Sequence, residues 1–297
     1  MFIWSAVYFI QISIKKEEIF RQEGWNYHLE QKEGPLKYNG VVYNEMKGAF
    51  SSPDEVLERE IMNHLFPDTT YGCESGGDPK NIPDLTYENF LNFHRTYYHP
   101  SNSYIYLYGN MDMEEKLAFL DEHYLSHFDY LDVDSVIQEQ KAFGACQDVT
   151  LEYPVAENEG EEDNTYLSYN MVVGNAADSQ MAMAFEVLDY ALLSAPGAPL
   201  KQALLDVKAG KDVYGSYDDG ILQPYFTVIA KGSNPDRKEE FVSVIRQVLG
   251  DIVKNGIDRK AVEAGINYFE FRYREADFSS YPKGLMYSLD ILGGLAV

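Results

Sequence analysis

Two cysteines in 297 residues are too few for a disulfide framework. Cys73 and Cys146 stand far apart and form no C-x-x-C pair, so a reducing compartment, the cytoplasm, is the simplest expectation. Basic residues are scarce: 24 Lys and Arg face 48 Asp and Glu, a net charge of −24. Phosphate and anionic headgroups demand clustered cations, which argues against nucleic acid and membrane as partners. No apolar run is long enough to span a bilayer. Met1–Ile14 is the longest apolar stretch, and it lacks a basic leader and a small-residue cleavage site. It reads as a buried helix or strand, or as an abrupt start inside a larger coding sequence. G-x-S-x-G, P-loop and G-x-G-x-x-G motifs are all missing. Gly76-Gly77-Asp78-Pro79 is a turn too short to cradle a phosphate, and Asp132-x-Asp134 lacks the Gly and terminal Glu of an EF-hand loop.

What remains is an ordinary globular composition, 45% hydrophobic, at a length that accommodates two domains. Strand-like stretches at Trp25–Glu30 and Tyr104–Gly109 flank a helical region. One helix ends near Gly48–Phe50. The next opens at Ser52-Pro53-Asp54-Glu55, with a candidate N-cap, a proline at the first helical position and a capping-box glutamate. A loop over Tyr71–Pro83 precedes a helix starting at Thr86, and Met113–Phe128 is an amphipathic helix. Strands are expected at Asp148–Tyr153 and Thr165–Val173, around a solvated acidic loop, Glu157–Asp163. Helices follow at Ser179–Leu193, Pro199–Val207 and Arg259–Arg274. The strand Tyr225–Gly232 and helix Asp236–Ile252 echo Tyr104–Gly109 and Met113–Phe128, as if one α+β unit occurred twice. The boundary falls near 130–147, giving domains 1–140 and 141–297.

The most informative run is G-V-V-Y-N-E-M-K-G-A-F-S-S-P, Gly40 to Pro53. Val41, Glu45 and Ala49 recur at i, i+4 and i+8, which puts a carboxylate on an apolar helix stripe. A buried carboxylate needs a cation, a set of donors or a metal, or it takes up a proton. Among the histidines, His123 and His127 have the i, i+4 spacing of zinc peptidases. The general-base position holds Tyr124 in one motif order and Ser126 in the other, so the pair reads as structural. His94 and His99 flank a helix end, where a cation is favourable, and His28 and His64 are isolated.

Several longer runs carry a resemblance. Lys15–Glu30, Gly34–Ser51, Pro67–Pro79, Phe93–Asn102, Ser216–Phe226 and Arg274–Leu285 are similar to the presequence-protease branch of the pitrilysin/insulinase zinc peptidases. The resemblance implies an α+β fold of two related α/β sandwich units, each a mainly antiparallel sheet with helices packed on it, the first incomplete. It implies a chamber of four such domains in two halves, where unfolded peptides are hydrolysed. Zinc is held there by the two His of H-x-x-E-H, whose Glu is the general base, and by a distal Glu. The Glu of N-E-M-K-G, here Glu45, matches that distal ligand. Such a site leaves one zinc position open for water.

This sequence has no H-x-x-E-H, which the resemblance places before residue 15. The implied catalytic residues therefore lie outside it, and Glu45 is its one expected metal residue. On this reading the chain covers the end of the zinc-binding peptidase domain and most of a second, structural domain. It is inactive alone, and its partners are the remainder of the peptidase and peptide substrates. A competing reading is a non-catalytic partner that forms a chamber wall or binds peptides at a sheet edge.

Overall fold

The computed structural model describes residues 16–155, 160–275, 278 and 280–296. The readings of Met1–Ile14 and Glu157–Glu159 lie outside these. The chain divides into two compact units: residues 16–63, 70–136 and 151–154, and residues 64–69, 137–150 and 155–296. Among the described residues no helix is long and apolar enough to cross a membrane.

In the first unit α1 (Glu17–Glu23) buries Phe20 and is braced by an Arg21–Glu17 ion pair at i, i+4 (3.0 Å). β1 (Asn26–His28) and β2 (Lys37–Asn39) form a two-stranded antiparallel sheet. Tyr27 faces Tyr38 across it, the rings stacked at 5.5 Å. α2 (Val41–Ala49) and α3 (Pro53–Leu65) follow. α4 (Tyr87–Tyr97) opens with a capping box in which the Thr86 hydroxyl accepts from the Asn89 amide and Asn89 Oδ1 accepts from the Thr86 amide. α5 (Met113–His123) is capped by Asp112. The expected strands at Tyr104–Gly109 and Asp148–Tyr153 are corrected: neither joins a β-ladder among the described residues.

The second unit has a complete local logic. β3 (Thr165–Val172), α6 (Ser179–Asp189), α7 (Pro199–Asp206), β4 (Asp212–Asp218), β5 (Tyr225–Ser233), α8 (Lys238–Asn255), α9 (Arg259–Glu275) and α10 (Lys283–Ala296) follow in order. The three strands form an antiparallel sheet, β3-β5-β4. Central β5 is buried continuously from Tyr225 to Ala230, as expected for a strand covered on both faces. Leu192, Leu193, Leu200, Leu204, Phe241 and Ile245 pack against Val213 and Val228 to form its core. Gly215 has no room for a side chain, because a Cβ there would lie 2.2 Å from the Thr227 carbonyl oxygen. Gln140, 7% exposed, ties the 137–150 segment in: it exchanges hydrogen bonds with Asp68 (2.9 and 2.8 Å), and its amide donates to Gln223. The α+β class with an antiparallel sheet and packed helices is what the sequence led us to expect.

The expected helix Ser179–Leu193 changes character at Asp189 and continues as a π-helical turn, Tyr190–Ser194. Burial lifts the Asp189 carboxyl to about 6, with the Ser194 hydroxyl (3.4 Å) pulling the other way. The folded state then binds more protons than the unfolded chain between about pH 4 and pH 6, so stability from this group is lost as pH rises through that window. Asp189→Asn is expected to stabilise the protein by about 1 kcal/mol at pH 7.5, screening by solvent having reduced the full effect, and by much less at pH 5. Urea melts of both proteins at the two pH values check this; equal gains at both would contradict it.

Candidate functional site

The N-terminus of α2 is fixed by a backbone crossing. Gly40 has φ +153°, and a Cβ on it would lie 2.2 Å from the Gly24 carbonyl oxygen. That carbonyl accepts from the Tyr43 amide (3.3 Å), and the Trp25 indole N–H donates to the Leu85 carbonyl (2.8 Å). Val42, Tyr43 and Met46 are thereby set against Phe20, Trp25 and Ile82. A Cβ on Gly76 would sit 2.2 Å from Met46 Sδ, so a bare backbone closes the other side of Met46.

This packing corrects the reading of the helix face. Val41, Glu45 and Ala49 do share a stripe, but it is not the buried one: Val41 is 52% exposed and Glu45 is exposed. The core took the Val42–Tyr43–Met46 side instead. Glu45 makes no ion pair and no side-chain hydrogen bond among the described residues. Its carboxylate is held on a nine-residue helix with its oxygens uncommitted.

The histidines do not assemble around it. α5 ends at His123, whose ring packs on Phe119 (4.4 Å), and His127 lies in the separate 3-10 turn Leu125–His127. The i, i+4 spacing therefore does not place the pair on one continuous helix. His99 Nδ1 accepts from the Ser101 amide (3.2 Å), and its ring meets Phe128 edge-on. His94 stacks on Tyr98 at 4.8 Å, its Nε2 buried without a partner among the described residues, and desolvation holds its imidazole below the usual value. Among the described residues no three His, Cys, Asp or Glu side chains converge as a metal site. Glu45 thus presents an anionic oxygen donor with no ion-pair or hydrogen-bond partner among the described residues, the chemistry that a hard metal ion accepts.

Sequence reasoning gave no sign of a second feature of the first unit. Arg21 lies over the Trp25 ring, 5.3 Å from its centroid, at the edge of an open pocket lined also by Tyr27, Asp84 and Leu85. Trp25 and Leu85 are 60 positions apart in sequence, and their hydrogen bond together with the packing of Phe20 and Trp25 on Ile82 brings these segments together.

Comparison with known proteins gives a consistent set of relatives. Residues 84–269 match the family model described as Peptidase M16 inactive domain. The chain is 51% identical over 278 residues to Protein HypA of Clostridium perfringens, a match covering 94% of this chain and 29% of that protein. It is 37% identical over 285 residues to Presequence protease 1, chloroplastic/mitochondrial, of Arabidopsis thaliana, covering 95% of this chain and 26% of that protein. The chain thus spans less than a third of the length of these curated relatives. In fold it is similar to a peptidase M16 inactive domain from Pseudomonas fluorescens (TM-score 0.55, 17% identity, 86% of this chain and 59% of the other). It is also similar to an M16-like peptidase of Alicyclobacillus acidocaldarius (TM-score 0.53, 18% identity, 79% and 55%).

Proposed function

The chain belongs to the M16 peptidase family, and on that premise we propose that it supplies one zinc ligand, Glu45, and a non-catalytic wall to a metallopeptidase completed by sequence outside these 297 residues. The observation that carries the proposal is the Glu45 carboxylate: an uncommitted, exposed oxygen donor on a packed helix, within the N-E-M-K-G run. In the complete protein the metal would activate a water for attack on a peptide bond. This chain's part is to hold one anionic donor in place. The wall reading rests on the match of residues 84–269 to an inactive-domain model, a span that begins well after Glu45. In this proposal the two roles occupy different parts of one chain. Peptides are the substrates under this proposal.

One carboxylate does not retain zinc, and the H-x-x-E-H general base is not in this sequence. Protein purified without chelators should therefore carry far less than one zinc per chain and show no chelator-sensitive peptide cleavage. Under this proposal HypA is a metallopeptidase of the same kind, and this chain exchanged into HypA in place of its matched span should carry near-stoichiometric zinc. Full zinc and cleavage in the isolated chain would overturn the proposal and direct attention to His123 and His127.

A further inference from the structure

The segment joining α2 to α3 is short and heavily bonded. The Phe50 amide donates to the Met46 carbonyl (2.9 Å), Ser51 donates to the Gly48 carbonyl from both its amide (3.0 Å) and its hydroxyl (2.6 Å), and the Ser52 amide donates to Ala49 (3.1 Å). The Ser52 carbonyl then accepts from the Val56 amide in the first turn of α3 (2.9 Å). These bonds set the path of the elbow, but each is local and none ties the body of α3 back to α2. A side chain on α3 does. Arg59, on the second turn of α3, places its guanidinium 3.9 Å from the centroid of the Phe50 ring, at the C-cap of α2. Its Nε and Nη2 both donate to Glu60 Oε1 (3.2 and 2.5 Å). The two side chains are only 16% and 20% exposed, so solvent competes little with either contact. A desolvated guanidinium over an aromatic face is among the stronger forms of this interaction. The planar group stacks on the ring while its edge is held by Glu60, an arrangement that lysine cannot copy in full.

We infer that Arg59 is a positioning residue for Glu45: by clamping Phe50 it fixes the C-terminal end of α2 and so the direction in which the Glu45 carboxylate is presented. The inference rests on the reading of Glu45 as a metal ligand. A nine-residue helix is too short to be stable on its own propensity: the Val42–Tyr43–Met46 face seats it on Phe20, Trp25 and Ile82, and contacts at its two ends refine its direction. Gly40 anchors one end of α2 and the Arg59–Phe50 pair the other. Residues that orient a ligand from outside the coordination sphere typically contribute 10- to 100-fold to metal affinity.

The test has two readouts. In the isolated 297-residue chain, Arg59→Gln should speed amide exchange over residues 41–52 by about tenfold while leaving β3, β4 and β5 unchanged. In the HypA exchange protein, Arg59→Gln should weaken zinc retention against a chelator by about tenfold, with Arg59→Lys recovering part of the loss. Adding Arg59→Gln to Glu45→Gln should cost no further zinc affinity, because the clamp acts only through that carboxylate. Unchanged exchange over 41–52, or a loss of zinc affinity that adds in full to that of Glu45→Gln, would overturn the inference. If Glu45→Gln alone leaves zinc in place, the reading of Glu45 fails first. If Glu45→Gln releases zinc and Arg59→Gln does not, Glu45 stands and only the clamp is lost.

Discussion

Replacing Glu45 by glutamine in the HypA exchange protein is expected to lower zinc content and peptidase turnover together, each by at least about 100-fold. The substitution preserves size and helix propensity but removes the charge and one good oxygen donor. Because Glu45 is exposed and bonded to nothing among the described residues, the fold should be indifferent to the change. The loss would therefore read out coordination and not stability. The carboxylates just downstream, Asp54, Glu55 and Glu58, lie on α3 and serve as controls. Glu55→Gln should cost at most a capping contribution of about 1 kcal/mol and leave zinc unchanged. Retention of zinc in Glu45→Gln combined with its loss in one of those neighbours would move the ligand to α3.

The second large effect lies in the other unit. Phe241 is 1% exposed on α8, packed over the β3-β5-β4 sheet with Leu200 and Leu204, which are fully buried on α7. Phe241→Ala is expected to cost about 3–5 kcal/mol and Leu200→Ala about 2–5 kcal/mol, since each leaves a cavity in a core with little freedom to collapse. The tryptophans give a clean assignment of that loss. Of the chain's two tryptophans, Trp25 lies in the first unit, and a Trp4→Phe background leaves it the sole reporter. Circular dichroism should show the main transition moving to lower urea in Phe241→Ala, while the tryptophan fluorescence transition moves much less. A fluorescence shift as large as the dichroism shift would mean that the two units unfold as one.

The second unit was largely legible from sequence because its signals are local and strong. Tyr225–Ala230 is apolar at every position but Thr227 and is soon followed by Gly232, and α8 carries a clear helical stripe with an acidic opening. β4 escaped notice because Asp212-Val-Tyr-Gly-Ser-Tyr-Asp218 is polar at both ends and broken by Gly215. That strand exists because β5 pairs with it, and Gly215 is there because the Thr227 carbonyl comes so close. Tyr104–Gly109 shows the converse: a good alternating pattern that enters no ladder among the described residues. Strand propensity is largely fit to a neighbour, and the sequence of one segment does not contain the neighbour.

The α2 helix divides in the same way. Its existence and limits followed from its spacing, yet the choice of buried face did not. Val41, Val42, Tyr43, Met46 and Ala49 spread apolar groups around most of nine residues. Only Trp25, Phe20 and Ile82, brought in by the Gly24–Gly40 crossing, select the Val42–Tyr43–Met46 side. Periodicity therefore put Glu45 indoors when it is exposed. Its proposed role came from the N-E-M-K-G resemblance, and an exposed carboxylate suits a ligand to a metal held by other sequence better than a buried one would. Arg59 was invisible for a related reason: a charged residue in a helix reads as solvated until Phe50 and Glu60 are seen around it.

The most direct measurement is zinc-edge anomalous diffraction from crystals of the HypA exchange protein. The account predicts a single strong zinc peak with a Glu45 carboxylate oxygen about 2.0–2.2 Å away, the other protein donors coming from HypA sequence, and loss of that peak in Glu45→Gln. A fully occupied zinc with Glu45 outside its coordination sphere would contradict it.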